Sequence, residues 1–217
     1  MRLVLLGPPG SGKGTQAQML AARFHIPHIS TGDIFRKDLG SGTELGLLAQ
    51  GYMNKGLLVP DDVTGAMVKE RLGEADAQGG FILDGFPRTL VQGEMFDAML
   101  AQLGKHLNAV LYLAVPRSVL VERLTGRRVC SGCGKPYHLA FDPPRVKEVC
   151  DACGAPLEQR ADDREDTVLR RLGVYDEETA PLVAYYGAKG VLWTFDGELS
   201  VKAVTANIRD RLEKSRG

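Results

Sequence analysis

An α/β fold, with a doubly wound parallel sheet of about five strands between helix layers, is predicted by two observations. First, short apolar runs recur at residues 3–6, 26–29, 81–83, 109–115 and 191–195. Most hold β-branched or aromatic residues, and helix-like stretches separate them. Continuous runs of this length suit strands covered on both faces, which is the signature of a parallel sheet. Second, this alternation breaks in only two places, 30–59 and 126–163. The first break reads as short helices over 32–39 and 43–55. The second is rich in Gly, Pro and Cys, contains Asp142-Pro143-Pro144, and has little helix signal. Both read as insertions hung on the core, where an α/β enzyme would keep mobile lids.

The 217 residues carry 27 basic and 27 acidic side chains. Zero net charge argues against a protein that coats nucleic acid. No run approaches the roughly 18–20 apolar residues of a membrane helix. The apolar start stops at Gly7-Pro8-Pro9-Gly10, short of the 7–15 residues, approximately, that a secretory signal needs. The expected compartment is the cytoplasm.

After the first strand comes Gly7-Pro8-Pro9-Gly10-Ser11-Gly12-Lys13-Gly14-Thr15, opening a helix near Thr15. It fits G-x-x-x-x-G-K, with the strand before it and the helix after it that this phosphate-binding P-loop requires. Gly10, Gly12 and Gly14 let backbone N–H groups face a phosphate, and the helix N-terminus adds partial positive charge. Lys13 then reaches the outer phosphates. The competing reading is a plain glycine turn. Gly14 stands where a Mg²⁺-binding Ser or Thr normally follows the lysine. The metal is therefore expected on phosphates and water, with Asp84, at the end of 81–84, as its outer partner. Alternatively, Asp84 only caps a turn before Gly85. No guanine-reading Asn-Lys-x-Asp follows, since Asn54-Lys55-Gly56-Leu57 fails at its last position.

All four cysteines form one pattern: Cys130-x-x-Cys133, sixteen residues, then Cys150-x-x-Cys153. The spacing fits paired knuckles around a structural Zn²⁺, with no open coordination position. Iron or cobalt could occupy the same thiolates. Two disulfides are the alternative, disfavoured in a cytoplasmic chain. A metal would brace a segment too small for a core of its own. His25, His28, His106 and His138 lack ligand spacing and read as solvated or packed. Trp193 is expected in the core, and Tyr185-Tyr186 against the late helix.

The P-loop, Asp84-Gly85-Phe86-Pro87-Arg88-Thr89 and Arg160-Ala161-Asp162-Asp163 together resemble the adenylate kinase family. Ser30-Thr31-Gly32-Asp33, Leu57-Leu58-Val59-Pro60-Asp61 and Gly126-Arg127-Arg128-Val129 extend the likeness across 3–197. The segment before Arg160 is similar to the lid of the long, bacterial-type members. The resemblance implies reversible Mg²⁺-dependent transfer of a phosphoryl group from ATP to AMP, giving two ADP and balancing adenine nucleotides. It implies a monomer with only these small-molecule partners, and neither nucleic acid nor membrane. It divides the chain into a core (1–29, 60–125, 164–217), an AMP-binding insertion (30–59) and a lid (126–163).

By motif position, Gly10, Ser11, Gly12, Lys13, Gly14 and Thr15 would hold ATP phosphates. Arg123 and Arg127 would meet ATP too, as would Pro136, Tyr137 and the loop at Leu199. Thr31, Arg36, Leu57, Leu58, Val59, Gly85, Phe86, Pro87, Arg88 and Gln92 would hold AMP. Arg160 and Arg171 would reach AMP and the moving group. Lys13, Asp84, Arg88, Arg127, Arg160 and Arg171 would carry catalysis. Guanidinium suits this work, because it binds phosphate oxygens bidentately and stays charged. Arg123 could instead serve its helix C-terminus. Asp162 and Asp163 read as partners of the arginines or as acids at a helix start. The Gln92 amide could pair with the donor–acceptor edge of adenine. Two rivals remain: a UMP/CMP or GTP-using AMP kinase of the same class, and a non-catalytic zinc-ribbon module on a P-loop.

Overall fold

A computed structural model describes residues 1–215. Its centre is a parallel sheet in the order β2-β3-β1-β4-β8. The strands are β1 (Arg2–Leu6), β2 (His28–Ser30), β3 (Phe81–Asp84), β4 (Ala109–Ala114) and, last in the chain, β8 (Leu192–Asp196). Side-chain alternation on β1 shows why the runs are apolar throughout. Val4 and Leu6 enter one buried cluster, with Phe86, Phe96 and Tyr186. Leu3 and Leu5 enter another, with Ala17, Leu20 and Ile208. A strand covered on both faces needs apolar residues at every position, not at every second one.

Helices α1 (Lys13–Phe24), α2 (Thr31–Gly40), α3 (Glu44–Met53), α4 (Asp61–Gly73), α5 (Leu90–Gln102) and α6 (Arg117–Thr125) follow in chain order. Ser30, Thr43 and Thr89 cap α2, α3 and α5, each side-chain oxygen accepting from a first-turn N–H. Such caps satisfy donors that the helix itself leaves unpaired. Later come α7 (Glu165–Val174), a π-turn at Tyr175–Thr179, α8 (Pro181–Ala188) and α9 (Val201–Lys214). Among the described residues no helix is long and apolar enough to cross a membrane.

The expected helices at 32–39 and 43–55 are α2 and α3. The segment between α6 and α7, given no strands by its sequence, contains three: β5 (Arg127–Cys130), β6 (Pro136–His138) and β7 (Leu157–Glu158). They pair antiparallel in the order β6-β5-β7. With at most four residues each, they show no alternation long enough to read. Trp193 meets expectation in part: it lies on β8 and packs against the cluster that holds Leu3 and Leu5. It is half-buried, with the Arg211 guanidinium 4.6 Å from its ring centre. Tyr186 is fully buried, as expected, in the cluster that also holds Leu182 of α8.

The chain after β1 goes to β2, at one edge, and β3 then returns beside β1, while β4 lies on β1's other side. A crevice therefore opens at the carboxyl ends of the strands, and ligands of open α/β sheets bind there.

Candidate active site

The loop after β1 fills that crevice. Gly10 and Gly12 adopt φ of 85° and 94°, a region that favours glycine. A Cβ on Gly10 would also lie 2.9 Å from Leu124. Gly12 precedes α1 and supplies no side-chain cap, so the first-turn N–H groups remain for an anion. The buried Ser11 Oγ lacks a partner among the described residues. Lys13 Nζ donates to the carbonyls of Gly7 (2.7 Å) and Pro8 (2.9 Å). Burial pushes its pKa down to about 8, against the pull of Asp84, and Arg88, Arg171 and Arg127 push the same way as burial. An ammonium so placed gains most when a polyphosphate arrives.

Asp84 ends β3 directly behind the loop, and a Cβ on Gly14 would be 3.5 Å from its Oδ2. Burial pushes its carboxyl up, but His28 and Lys13 outweigh that and hold it below the ordinary value. His28 Nε2 stands 3.6 Å from Oδ2, too long for a direct hydrogen bond. The sequence marked His28 as bland; β2 pairing beside β3 places it in the site.

On the opposite wall, Thr31 Oγ1 donates to the Gly85 carbonyl at 2.9 Å. Arg88 Nε donates to the same carbonyl at 2.7 Å, and the Arg88 carbonyl accepts from Thr179 Oγ1 at 2.7 Å. The Arg88 guanidinium is thus held by a turn fixed on three sides. Arg36 pairs with Asp33 at 2.5 Å. Leu57, Leu58, Val59, Gly85, Pro87 and Gln92 line the same cavity. Phe86 does not, because its ring packs in the core, edge-on to Phe96 at 5.9 Å. Gln92 is buried. Its Oε1 accepts from the Arg88 N–H and its Nε2 donates to Asp61 Oδ1, both at 2.7 Å. Asp61, which also accepts from Thr89 at 3.1 Å, drew no assignment from the sequence.

Arg127 begins β5, Arg160 follows β7, and Arg171 lies on α7. All three border the cavity, as do Arg123, Pro136, Tyr137 and Leu199. Arg123 Nη1 donates to the Gly197 carbonyl at 2.9 Å, which ties it to the loop before Leu199 rather than to its own helix end. Asp162 and Asp163 form a 3₁₀ turn ahead of α7 and pair with arginines, Asp162 with Arg171 at 3.1 Å. Of their two readings, the arginine-partner one fits. Burial pushes the Arg160 pKa down to about 10, with Arg36 and Arg127 adding to it. A buried guanidinium beside two others favours an anionic partner.

The four cysteine sulfurs lie within 4.8 Å of one another. Cys130 and Cys153 sit 3.4 Å apart, and Cys133 and Cys150 3.6 Å. A tetrahedron with Zn–S near 2.3 Å requires sulfurs about 3.8 Å apart, so the set fits one metal. Backbone N–H groups of Cys133 and Ala152 donate to Cys130 and Cys150 sulfur, each at 3.4 Å. The Tyr137 hydroxyl chiefly pulls the Cys150 thiol down; a backbone contact with Ala155 pulls Cys153 the same way, but Cys130 and Cys133 outweigh it and push that thiol up, so the sulfurs titrate as one interacting set.

The sequence model of the adenylate kinase family matches residues 5–191. Among curated relatives, the adenylate kinase of Carboxydothermus hydrogenoformans is 53% identical over 214 residues, covering 99% of this chain and 100% of its own. That of Thermoanaerobacter sp. (strain X514) is 53% identical over 212 residues, 98% of each chain. That of Moorella thermoacetica is 56% identical over 204 residues, 94% of each. With a P-loop at the sheet's switch point, arginines converging on one crevice, and likeness along nearly its whole length, the chain belongs to the adenylate kinase family.

Proposed function

We propose that this cleft binds ATP on the 7–15 loop and AMP against α2 and the turn after β3, and passes the terminal phosphoryl group directly between them. Phosphoryl transfer among ATP, AMP and ADP is the activity of the family, and it uses Mg²⁺. One observation carries the residue assignment. Lys13, Arg36, Arg88, Arg123, Arg127, Arg160 and Arg171, from well-separated stretches of chain, line a single cavity of about 1620 Å³. Pockets for one small molecule hold roughly 300–1,000 Å³, so this one has room for two nucleotides.

Phosphoryl transfer spreads negative charge over oxygens, and the protein mainly positions and neutralises. Lys13 and the α1 N-terminus hold the donor's phosphates. Arg36 and Arg88 hold the acceptor's phosphate, and Arg127, Arg160 and Arg171 flank the passing group. Mg²⁺, bound with ATP, supplies charge neutralisation. Because Gly14 offers no hydroxyl, Asp84 is the acid placed to hold its water shell. No phospho-enzyme is required, since aligned oxygens suffice for in-line transfer. The 30–59 and 126–163 insertions close over the cleft and exclude water, which would otherwise hydrolyse ATP. The four thiolates hold a structural zinc that stiffens the second insertion.

Gln92 reads the AMP base. Its second N–H and second oxygen lone pair stay available after the bonds to Asp61 and Arg88. Gln92→Leu should therefore blunt the preference for AMP over CMP and UMP, whereas unchanged preference would remove the assignment.

The deciding experiment is a coupled ADP assay with ATP, Mg²⁺ and AMP, CMP, UMP or GMP in turn. ADP formation that depends on AMP supports the reading. ATP consumption indifferent to the monophosphate overturns it.

A further inference from the structure

Gln92 is 1% exposed and borders the cavity, whereas Asp61 does not line it. Asp61 opens α4, 31 residues earlier in the chain. Its Oδ1 accepts from Gln92 Nε2 at 2.7 Å, and its Oδ2 accepts from Thr89 Oγ1 at 3.1 Å. The Thr89 oxygen in turn accepts the Gln92 backbone N–H at 3.1 Å, so the carboxylate is tied to the same cap that starts α5. At the other end of the amide, Gln92 Oε1 accepts from the Arg88 N–H at 2.7 Å.

The two ends of a side-chain amide have nearly the same shape, and their partners decide which end is which. Here the partners are of opposite kinds. An ionised carboxylate only accepts, and a backbone N–H only donates. Asp61 therefore demands the NH₂ end and Arg88 the oxygen end. Turning the amide over would set oxygen against carboxylate and NH₂ against N–H, and buried mismatches of this kind are costly. Each end keeps one group for a ligand, an N–H on Nε2 and a lone pair on Oε1. Together they complement an edge that carries a donor beside an acceptor, as the amino group and N1 of adenine do. Hypoxanthine has the same rings but carries an oxygen in place of the amino group and a proton on N1. Its edge presents the two in reverse order.

We propose that Asp61 determines base specificity: it fixes the polarity of the Gln92 amide and so makes the acceptor site select a 6-amino over a 6-oxo purine. It is a positioning residue that acts through Gln92 and does not touch the base. The inference rests on the reading that Gln92 faces the base of the acceptor monophosphate. A preset polarity rejects the wrong edge because accepting it leaves buried groups facing their own kind. An asparagine at position 61 could turn to offer either its oxygen or its NH₂. The amide would then be oriented by the Arg88 N–H alone.

The test measures kcat/KM for AMP and for inosine monophosphate (IMP), with ATP and Mg²⁺, and takes the AMP:IMP ratio. The proteins are wild type, Asp61→Asn, Asp61→Ala, Gln92→Leu and the Asp61→Asn/Gln92→Leu double variant, with a melting curve for each. Asp61→Asn should lower the ratio by about tenfold or more. Asp61→Ala removes the acceptor and adds no donor. It should lower the ratio by about threefold or more, so the test stands even where Asp61→Asn does not fold. In the Gln92→Leu background, Asp61→Asn should move the ratio by less than about twofold, because the amide it orients is already gone. A merely structural role would lower the melting temperature and slow both substrates alike. A wild-type ratio in the Asp61 variants therefore overturns the proposal, as does the same fall with and without Gln92. A wild-type ratio in Gln92→Leu would instead refute the base reading beneath the proposal, and the proposal with it.

Discussion

In the core, β1 alone buries Leu3, Val4, Leu5 and Leu6, split between two apolar clusters. The whole stretch between α6 and the 3₁₀ turn before α7 buries Cys130, Tyr137, Cys150 and Leu157. Full burial of one large aliphatic side chain is worth about 1.5–3 kcal/mol. The core therefore stands on apolar transfer, whereas the 126–163 segment has almost none to draw on and, on the proposed reading, would depend on a metal cross-linking its four cysteines. On the proposed reading, the difference teaches that one chain can hold an apolar platform and a flap stabilised by its own metal, with the arginines that line the cavity seated where the two meet. Arg127 and Arg160 lie at the ends of the small sheet, and Lys13 and Arg88 on the platform.

The largest effect that could break this comparison is removal of the metal. Structural zinc sites in small folds contribute roughly 10–16 kcal/mol of local folding energy. Cys150→Ser, or a strong chelator, should take metal content from about one per chain to near zero and abolish amide-exchange protection in β5–β7. Protection in β1, β3 and β4 should persist. If both regions lose it together, the flap is not an independent unit. Metal near zero in reductively purified wild type would remove the zinc claim.

Next in size is Arg88→Ala, which tests the platform's chemistry without touching its core. Turnover should fall by about 10³-fold or more at an almost unchanged melting temperature. Near-normal turnover would contradict the role. Leu111→Ala probes the opposite quantity. Leu111 is fully buried in the sheet, and its loss should cost about 3 kcal/mol in denaturant unfolding. Metal content should be unaffected, and its parallel loss would show that the regions unfold as one.

The smallest effect is a pH dependence. Lys13 must be protonated to hold phosphate, and burial brings its pKa to about 8. Bound phosphate raises that pKa, so binding takes up a proton above pH 8. ATP affinity should be level below about pH 8 and weaken above it, by at most about tenfold per unit. Calorimetric titration from pH 7 to 9.5 checks the sign. Affinity that strengthens with pH would exclude a cationic Lys13 from the ATP complex. The slope should survive chelation, since the lysine belongs to the platform.

Much of the site was legible in the chain itself. The P-loop is contiguous, and its glycines, lysine and flanking strand occupy fixed offsets. The cysteine spacing needed no partner to interpret. His28 and Asp61 were not legible, because each matters through a neighbour distant in sequence. His28 faces Asp84, and Asp61 holds Gln92. Phe86 shows the converse. A motif position placed it at the site, but strand pairing and the turn before Arg88 sent its ring into the core.

Local rules determined the parallel sheet, the phosphate loop, the α2 and α3 helices and the four-sulfur cluster. Each of these is written in periodicity or spacing, within a few turns of chain. Only the tertiary structure decided which arginines meet, that Asp163 joins two of them, and that β5, β6 and β7 pair at all. Those outcomes depend on packing and electrostatics between segments remote in sequence, where no residue's neighbours along the chain record its neighbours in space.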